Sequence, residues 1–326
     1  MSDALSVEPA EAVRIPHTLH GADRTWVESN CALDLWIELL HHLELEPLAA
    51  FGCAVRLDFE GDQYTFLRIP GPDLEALYGI EVQELAIWRP LLDHALEQSS
   101  RGRVVMPEVD AWFLPDTRGT SYRQEHVKTT LAIDTIDPEA RRLTYFHNAG
   151  RFALEGEDFD GVFGIGERRT NALPLFVEIA KLERVVAHPP AELARRARIL
   201  LDYHVARRPR ENPIASHRAR VSADLALLRE SRFDAFHQYA FATVRQLGAC
   251  FGLLGAHLRW LEQAAGGGLH RAAAGCEEIE TTAKVLEFTL ARAVAAGRTE
   301  GIAPLMERLE RTWDEVMAEL VRTHGY

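Results

Sequence analysis

The chain has 326 residues, 47% of them hydrophobic and 26% charged, with a formal net charge of −13. This is ordinary globular composition, which excludes wholesale disorder and leaves room for two cores. The acidic balance argues against nucleic acid as a partner, and no run approaches the roughly 18 apolar residues of a spanning helix. The N-terminus lacks a basic start followed by an apolar run, so a cytoplasmic protein away from membranes is expected.

Four cysteines, Cys31, Cys53, Cys250 and Cys276, are scattered and form no C-x-x-C pair, which excludes the usual zinc spacings and a disulfide framework. Residues 1–24 read as a flexible segment, 25–172 as an α+β domain and 173–326 as an all-helical bundle domain. The polar, Gly-containing stretch 164–171 marks the boundary.

In chain order, Asn30 is a good N-cap for a helix from Cys31 to Leu43, with Leu35, Leu39 and Leu43 at helical spacing. Strands are expected over 54–58 and 64–69 around the acidic turn Glu60-Gly61-Asp62, followed by a short helix over 74–78. Strands over 104–113, 129–136 and 143–146 come next, the last two forming a hairpin through Asp137-Pro138. Amphipathic helices over 191–206, 215–230, 233–264, up to 296 and 302–322 then form an antiparallel bundle.

Cys31 is the leading chemical candidate. A thiol at a helix start sits beside unpaired N–H groups, and these favour thiolate. A thiolate nucleophile needs a base, and the base an orienting group. His126 lies just ahead of a strand, and Asn148 ends the next one, where its carbonyl can accept the imidazole N–H. His147 competes with Asn148, because strand neighbours point to opposite faces; Asn148 is preferred. Glu108 and Asp110 share a strand face and suit a substrate ammonium or, equally, a solvated edge. Glu60 and Asp62 read as a polar turn, His41-His42 lacks a third ligand, and no metal is assigned. Between residues 195 and 220 lie eight arginines, Arg207, Arg208 and Arg210 among them, but only two acids. They read as a solvated face or as a docking patch for an acidic partner.

Several runs resemble an uncharacterised bacterial family whose members are often encoded near amino acid:carrier-protein ligases and small carrier proteins. They are Trp26-Val-Glu-Ser-Asn-Cys-Ala-Leu-Asp-Leu-Trp-Ile-Glu-Leu-Leu-His41, Asp58-Phe-Glu-Gly-Asp-Gln63, Glu108-Val-Asp-Ala-Trp-Phe-Leu-Pro-Asp-Thr117, His126-Val-Lys-Thr-Thr130, Tyr145-Phe-His-Asn-Ala-Gly150 and Phe236-His-Gln-Tyr-Ala-Phe-Ala-Thr-Val-Arg-Gln-Leu-Gly248. The first half also looks distantly like papain-like acyltransferases of the butirosin side-chain transferase type and like double-glycine-cleaving peptidases. This implies a papain-like cysteine-enzyme domain followed by the bundle.

The function so implied is transfer of an acyl group, aminoacyl as the favoured case, from a carrier-protein thioester through a Cys31 thioester to an acceptor. No cofactor would be bound, the phosphopantetheine residing on the partner carrier protein. A glutamine about six residues before the cysteine, usual in papain-like peptidases, is replaced here by Thr25. The Cys31 N–H therefore stands as one oxyanion donor, with Asn30 or Gln63 as the second. Two rivals remain: a cysteine hydrolase (amidase, peptidase or thioesterase), and a non-catalytic carrier-protein-binding protein in which Cys31 is structural.

Overall fold

The computed structural model describes residues 15–166, 176–230 and 233–324. Helix α1 (Cys31–His42) forms as expected: Asn30 Oδ1 accepts the N–H groups of Ala32 and Leu33, two of the unpaired donors of the first turn. The stretch expected as a strand over 54–58 lies instead in a 3-10 helix, Pro47–Arg56. Pro47 opens it, the Glu46 carboxylate accepts the Leu48 N–H, and nearly every residue is buried, leaving no polar face to alternate. It packs between α5 (Pro190–Val205) and α8 (Gln246–Ala265). A side chain on Gly52 would come within 3.2 Å of His257 Nε2, so this close approach favours glycine. The second expected strand, 64–69, reduces to one bridge, Phe59 with Tyr64.

Helix α2 (Gly71–Tyr78) leads into β1 (Glu81–Glu84), and α3 (Leu91–Ser100) precedes β2 (Val104–Asp110). Then come β3 (Lys128–Thr130), β4 (Ala132–Asp137), β5 (Arg142–His147), β6 (Gly150–Glu155), α4 (Glu157–Phe163) and β7 (Val177–Lys181). One sheet has the order β1-β7-β2-β3 and the other β4-β5-β6, all pairs antiparallel. Only Leu131 separates β3 from β4, so one stretch of chain pairs with β2 in the first sheet and β5 in the second. The hairpin through Asp137 and Pro138 is present. Strands β1, β6 and β7 and helices α3 and α4 were not anticipated.

The helical region adds α5, α6 (Pro213–Glu230), α7 (Phe233–Ala240), α8, α9 (His270–Ala296) and α10 (Ile302–His324). The expected single helix over 233–264 is interrupted by a π turn, Phe241–Arg245. The cause is local: Tyr64 N–H donates to Ala242 O at 3.0 Å, taking the carbonyl that the Gln246 N–H would use in an α-helix, and Gln246 turns to Thr243 O.

The expected division at 172/173 is displaced by the sheet. Strand β7 follows it in sequence yet pairs with β1 and β2. The expected boundary stretch itself lies partly outside the described residues. Of the segment read as flexible, residues 1–14 also lie outside them, whereas residues 18–20 form a 3-10 turn with Leu19 and His20 buried. One continuous apolar core runs from Leu19 through α1 and the 3-10 helix to Leu320 of α10. A smaller one lies under the sheets, around Tyr145, Phe159 and Ile179. Among the described residues, no helix is long and apolar enough to cross a membrane.

Candidate active site

Cys31 is the first residue of α1 and is half-buried. Helix α1 packs on β3 and β5, and His147 is the last residue of β5. Cys31 and His147 line one cleft of about 820 Å³. Its floor includes Asn30 and Thr129, and its helical wall is Gln238, Phe241 and Arg245 from α7 and the π turn. The cleft therefore draws on both halves of the chain.

The His147 imidazole is held on both nitrogens. Nδ1–H donates to Asp116 Oδ2 at 2.6 Å, and the Tyr145 hydroxyl donates to Asp116 Oδ1. Nε2 lies within hydrogen-bond distance of the Thr129 hydroxyl, at 2.8 Å. The His147 and Asp116 side chains are 1% and 2% exposed, so this carboxylate–imidazole pair is screened from water except through the cleft. Asp116 belongs to a 3-10 turn, Pro115–Thr117, that follows β2. Among the described residues, no hydrogen bond joins Cys31 Sγ to either His147 or His126.

His126 stands at the rim, between Glu125 and Val127, which both line the cleft. Its side chain is 68% exposed, it does not line the cleft, and Nδ1 donates to Asp110 Oδ2 at 2.6 Å. Its ring stacks on Trp112 with centroids 4.5 Å apart. Asn148 does line the cleft, but it is outside the strand, at the first position of the two-residue turn between His147 and Gly150, with φ 46°. Asparagine tolerates this left-handed conformation better than most residues, which accounts for it without catalysis. The strand alternation argued for residues 147 and 148 thus ends one residue too early to apply.

Asn30 has no free donor for an oxyanion. Its Nδ2 donates to Leu67 O at 3.1 Å and to Gln246 Oε1 at 3.3 Å, while Oδ1 caps α1. Gln63 is exposed in the acidic turn, away from the cleft. Glu108 lines the cleft but binds Lys128 Nζ at 2.6 Å, and Asp110 both accepts from His126 and caps a 3-10 turn through the Trp112 N–H. Both carboxylates are thus already partnered.

The arginine cluster is largely neutralised within the chain. Arg195 and Arg196 pair with Glu192, Arg198 with Asp202, Arg218 with Glu310 and Arg220 with Asp224. Arg207 stacks on Tyr203 at 3.7 Å and Arg208 donates to Val205 O; neither they nor the exposed Arg210 line the cleft. Among the described residues, no group of three or more His, Cys, Asp or Glu could hold a metal ion.

Asp116 was missed by sequence reasoning, although it stands in the run Glu108–Thr117 that carried the resemblance. No curated protein matches the chain. Residues 15–182 match the DUF1839 N-terminal domain and residues 190–322 the DUF1839 C-terminal domain, and the chain belongs to the DUF1839 family.

Proposed function

We propose that the chain is a cysteine acyltransferase in which Cys31 is the nucleophile, His147 the base and Asp116 the group that orients the base. The observation that carries this reading is the convergence on one cleft of a cysteine at a helix start and a buried imidazole–carboxylate pair. His126 is left out of it because its ring lies off the cleft and is solvated.

The chemistry follows from the donors and acceptors. Asp116 fixes the proton on Nδ1, which leaves Nε2 as the acceptor for the Cys31 proton once the Thr129 hydroxyl rotates away. The thiolate attacks a thioester carbonyl, and the charge on the carbonyl oxygen faces the Cys31 N–H at the start of α1. Collapse expels the donor thiol, which takes the proton from His147, and leaves an acyl group on Cys31. Exchange between two thioesters is close to balanced, so the step is reversible. An amine acceptor then gives up a proton to His147, forms the more stable amide and regenerates the cysteine. A carrier-protein phosphopantetheine thioester is the donor we favour, with aminoacyl as the acyl group. A cysteine hydrolase would use the same residues with water as acceptor.

The test is intact mass measurement after mixing the protein with an aminoacyl-pantetheine thioester. A mass gain of one aminoacyl group, absent in Cys31→Ser and His147→Ala but retained in His126→Ala, is expected. Free amino acid released without accumulation or transfer to an added amine supports the hydrolase. No gain and no turnover in the wild-type protein would refute both.

A further inference from the structure

Beneath the start of α1 lies a buried charged group that the reaction above does not use. His20, in the 3-10 turn Thr18–His20, places Nδ1 2.6 Å from Glu38 Oε1 and Nε2 3.4 Å from Asp34 Oδ1. Its side chain is 1% exposed. Two carboxylate partners call for two N–H donors, which only the imidazolium supplies. Burial alone would lower the His20 pKa, but the hydrogen bonds to Asp34 and Glu38 outweigh it and raise it to about 9. Glu38 is likewise held below its ordinary range: burial opposes this, and the His20 hydrogen bond and the His17 N–H override it.

Asp34 connects this pair to the nucleophile. Its carboxylate accepts the Ser29 N–H, at 2.9 Å to Oδ2, and the Ser29 hydroxyl, at 2.6 Å to Oδ1. Ser29 is two residues before Cys31, and Asp34 is three residues after it on the same helix face and lines the same cleft. A carboxylate one turn from a thiolate opposes that thiolate. The other titratable groups around His20 are His17, which burial holds down to about 4 and which stacks edge-on with His41, and the Arg24–Glu280 pair across a small cavity. Arg24 and Glu280 offset each other, so His20 is the cation nearest Asp34, which shares it with Glu38.

We propose that His20 is a positioning residue, an imidazolium that partly offsets the charge of Asp34, fixes the Ser29–Cys31 corner through it and so preserves the reactivity of Cys31. This rests on the reading of Cys31 as the reactive thiol. The experiment therefore follows that thiol directly, by iodoacetamide alkylation at pH 7.5 with peptide mapping, and needs no acyl donor. In the full-length protein, His20→Gln should slow Cys31 alkylation about tenfold, the effect of one unbalanced charge a helical turn away at a dielectric between protein and water. His20→Lys, which restores a cation, should bring the rate back towards wild type. A rate unchanged in His20→Gln, or equally slow in His20→Lys with native circular dichroism, would overturn the proposal.

Should His20→Gln not fold, Glu38→Gln carries the test by itself. It leaves the Ser29 contacts of Asp34 in place and gives Asp34 sole use of the His20 cation, so alkylation should be as fast as in the wild type or faster; a slower rate overturns the proposal. Aminoacyl-pantetheine transfer measured in parallel separates the two ideas. A dependence of alkylation on His20 without any acyl-enzyme would leave this inference standing and remove the transferase.

Discussion

Asp116→Asn is the substitution that tests the site most sharply, because it changes one charge and almost no volume. The carboxylate accepts from His147 Nδ1 at 2.6 Å and from the Tyr145 hydroxyl in a nearly sealed environment. A hydrogen bond to a charged group contributes about 1.5–3 kcal/mol, and each 1.36 kcal/mol is a factor of ten in rate. Losing it should slow acyl-enzyme formation roughly 10- to 150-fold. If the new amide turns its NH2 towards Nδ1, the imidazole must carry its proton on Nε2 and cannot accept one from the thiol. The loss then approaches the ~10⁴ known for a carboxylate-to-amide change in such a relay. The assay is rapid-quench mass measurement of acyl-Cys31 from aminoacyl-pantetheine, with urea unfolding run beside it to separate rate from stability. His126→Ala should stay within about twofold of wild type, since surface changes away from a site are usually small. An Asp116→Asn protein that acylates at the wild-type rate, or a His126→Ala protein as slow as His147→Ala, would refute the assignment.

Iodoacetamide should label Cys31 first, because Cys53, Cys250 and Cys276 are fully enclosed and burial pushes each thiol up; early labelling of any of the three would contradict the site. His217 and His257 are buried and neutral, burial holding both down to about 4 against an ordinary 6.5. The unfolded chain binds protons first, so their contribution is full above about pH 6.5 and is lost as pH falls towards 4, up to ~3 kcal/mol each. Urea midpoints that do not fall between pH 7 and 4.5 would count against this. A fragment of residues 15–182 should not fold alone, because the core containing α1 is completed by α8 and α9; a well-dispersed proton spectrum from that fragment would show otherwise.

The features legible in the sequence were those set by neighbours along the chain. Asn30 and the leucines of α1 announce a capped helix, and the bundle helices follow from their apolar stripes. Residues 54–58 misled because a run of small and β-branched residues looks the same whether it is a strand or a helix buried on every side. Pro47 was the signal for the latter. Strand β7 escaped because its partners are β1 and β2, up to about 100 residues away, and pairing over that distance leaves no periodic trace. In the cleft, the helix start at Cys31 was legible from its cap, whereas the buried pair of His147 and Asp116 was not. Asp116 follows Pro115 and reads as a turn residue, and nothing along the chain marks His147, at the end of β5, as buried against it.

The residues that flank the exposed acidic turn 60–63 link the two halves of the chain. By sequence that stretch is a polar turn. In the structure, Phe59 stacks on His217 of α6 at 5.0 Å, and Tyr64 drives its N–H into the π turn of the opposite half. That turn carries Phe241 and Arg245 into the cleft and delivers Gln246 to Asn30, whose other side caps the helix of Cys31. The helical half is thus joined to the helix start at Cys31 by two hydrogen bonds in series, and it supplies a wall of the cleft beside it. On the proposed reading, a substrate entering there would touch both halves at once. The bundle is therefore part of the catalytic apparatus proposed here, and its contribution would be felt at Cys31 through the orientation of Asn30.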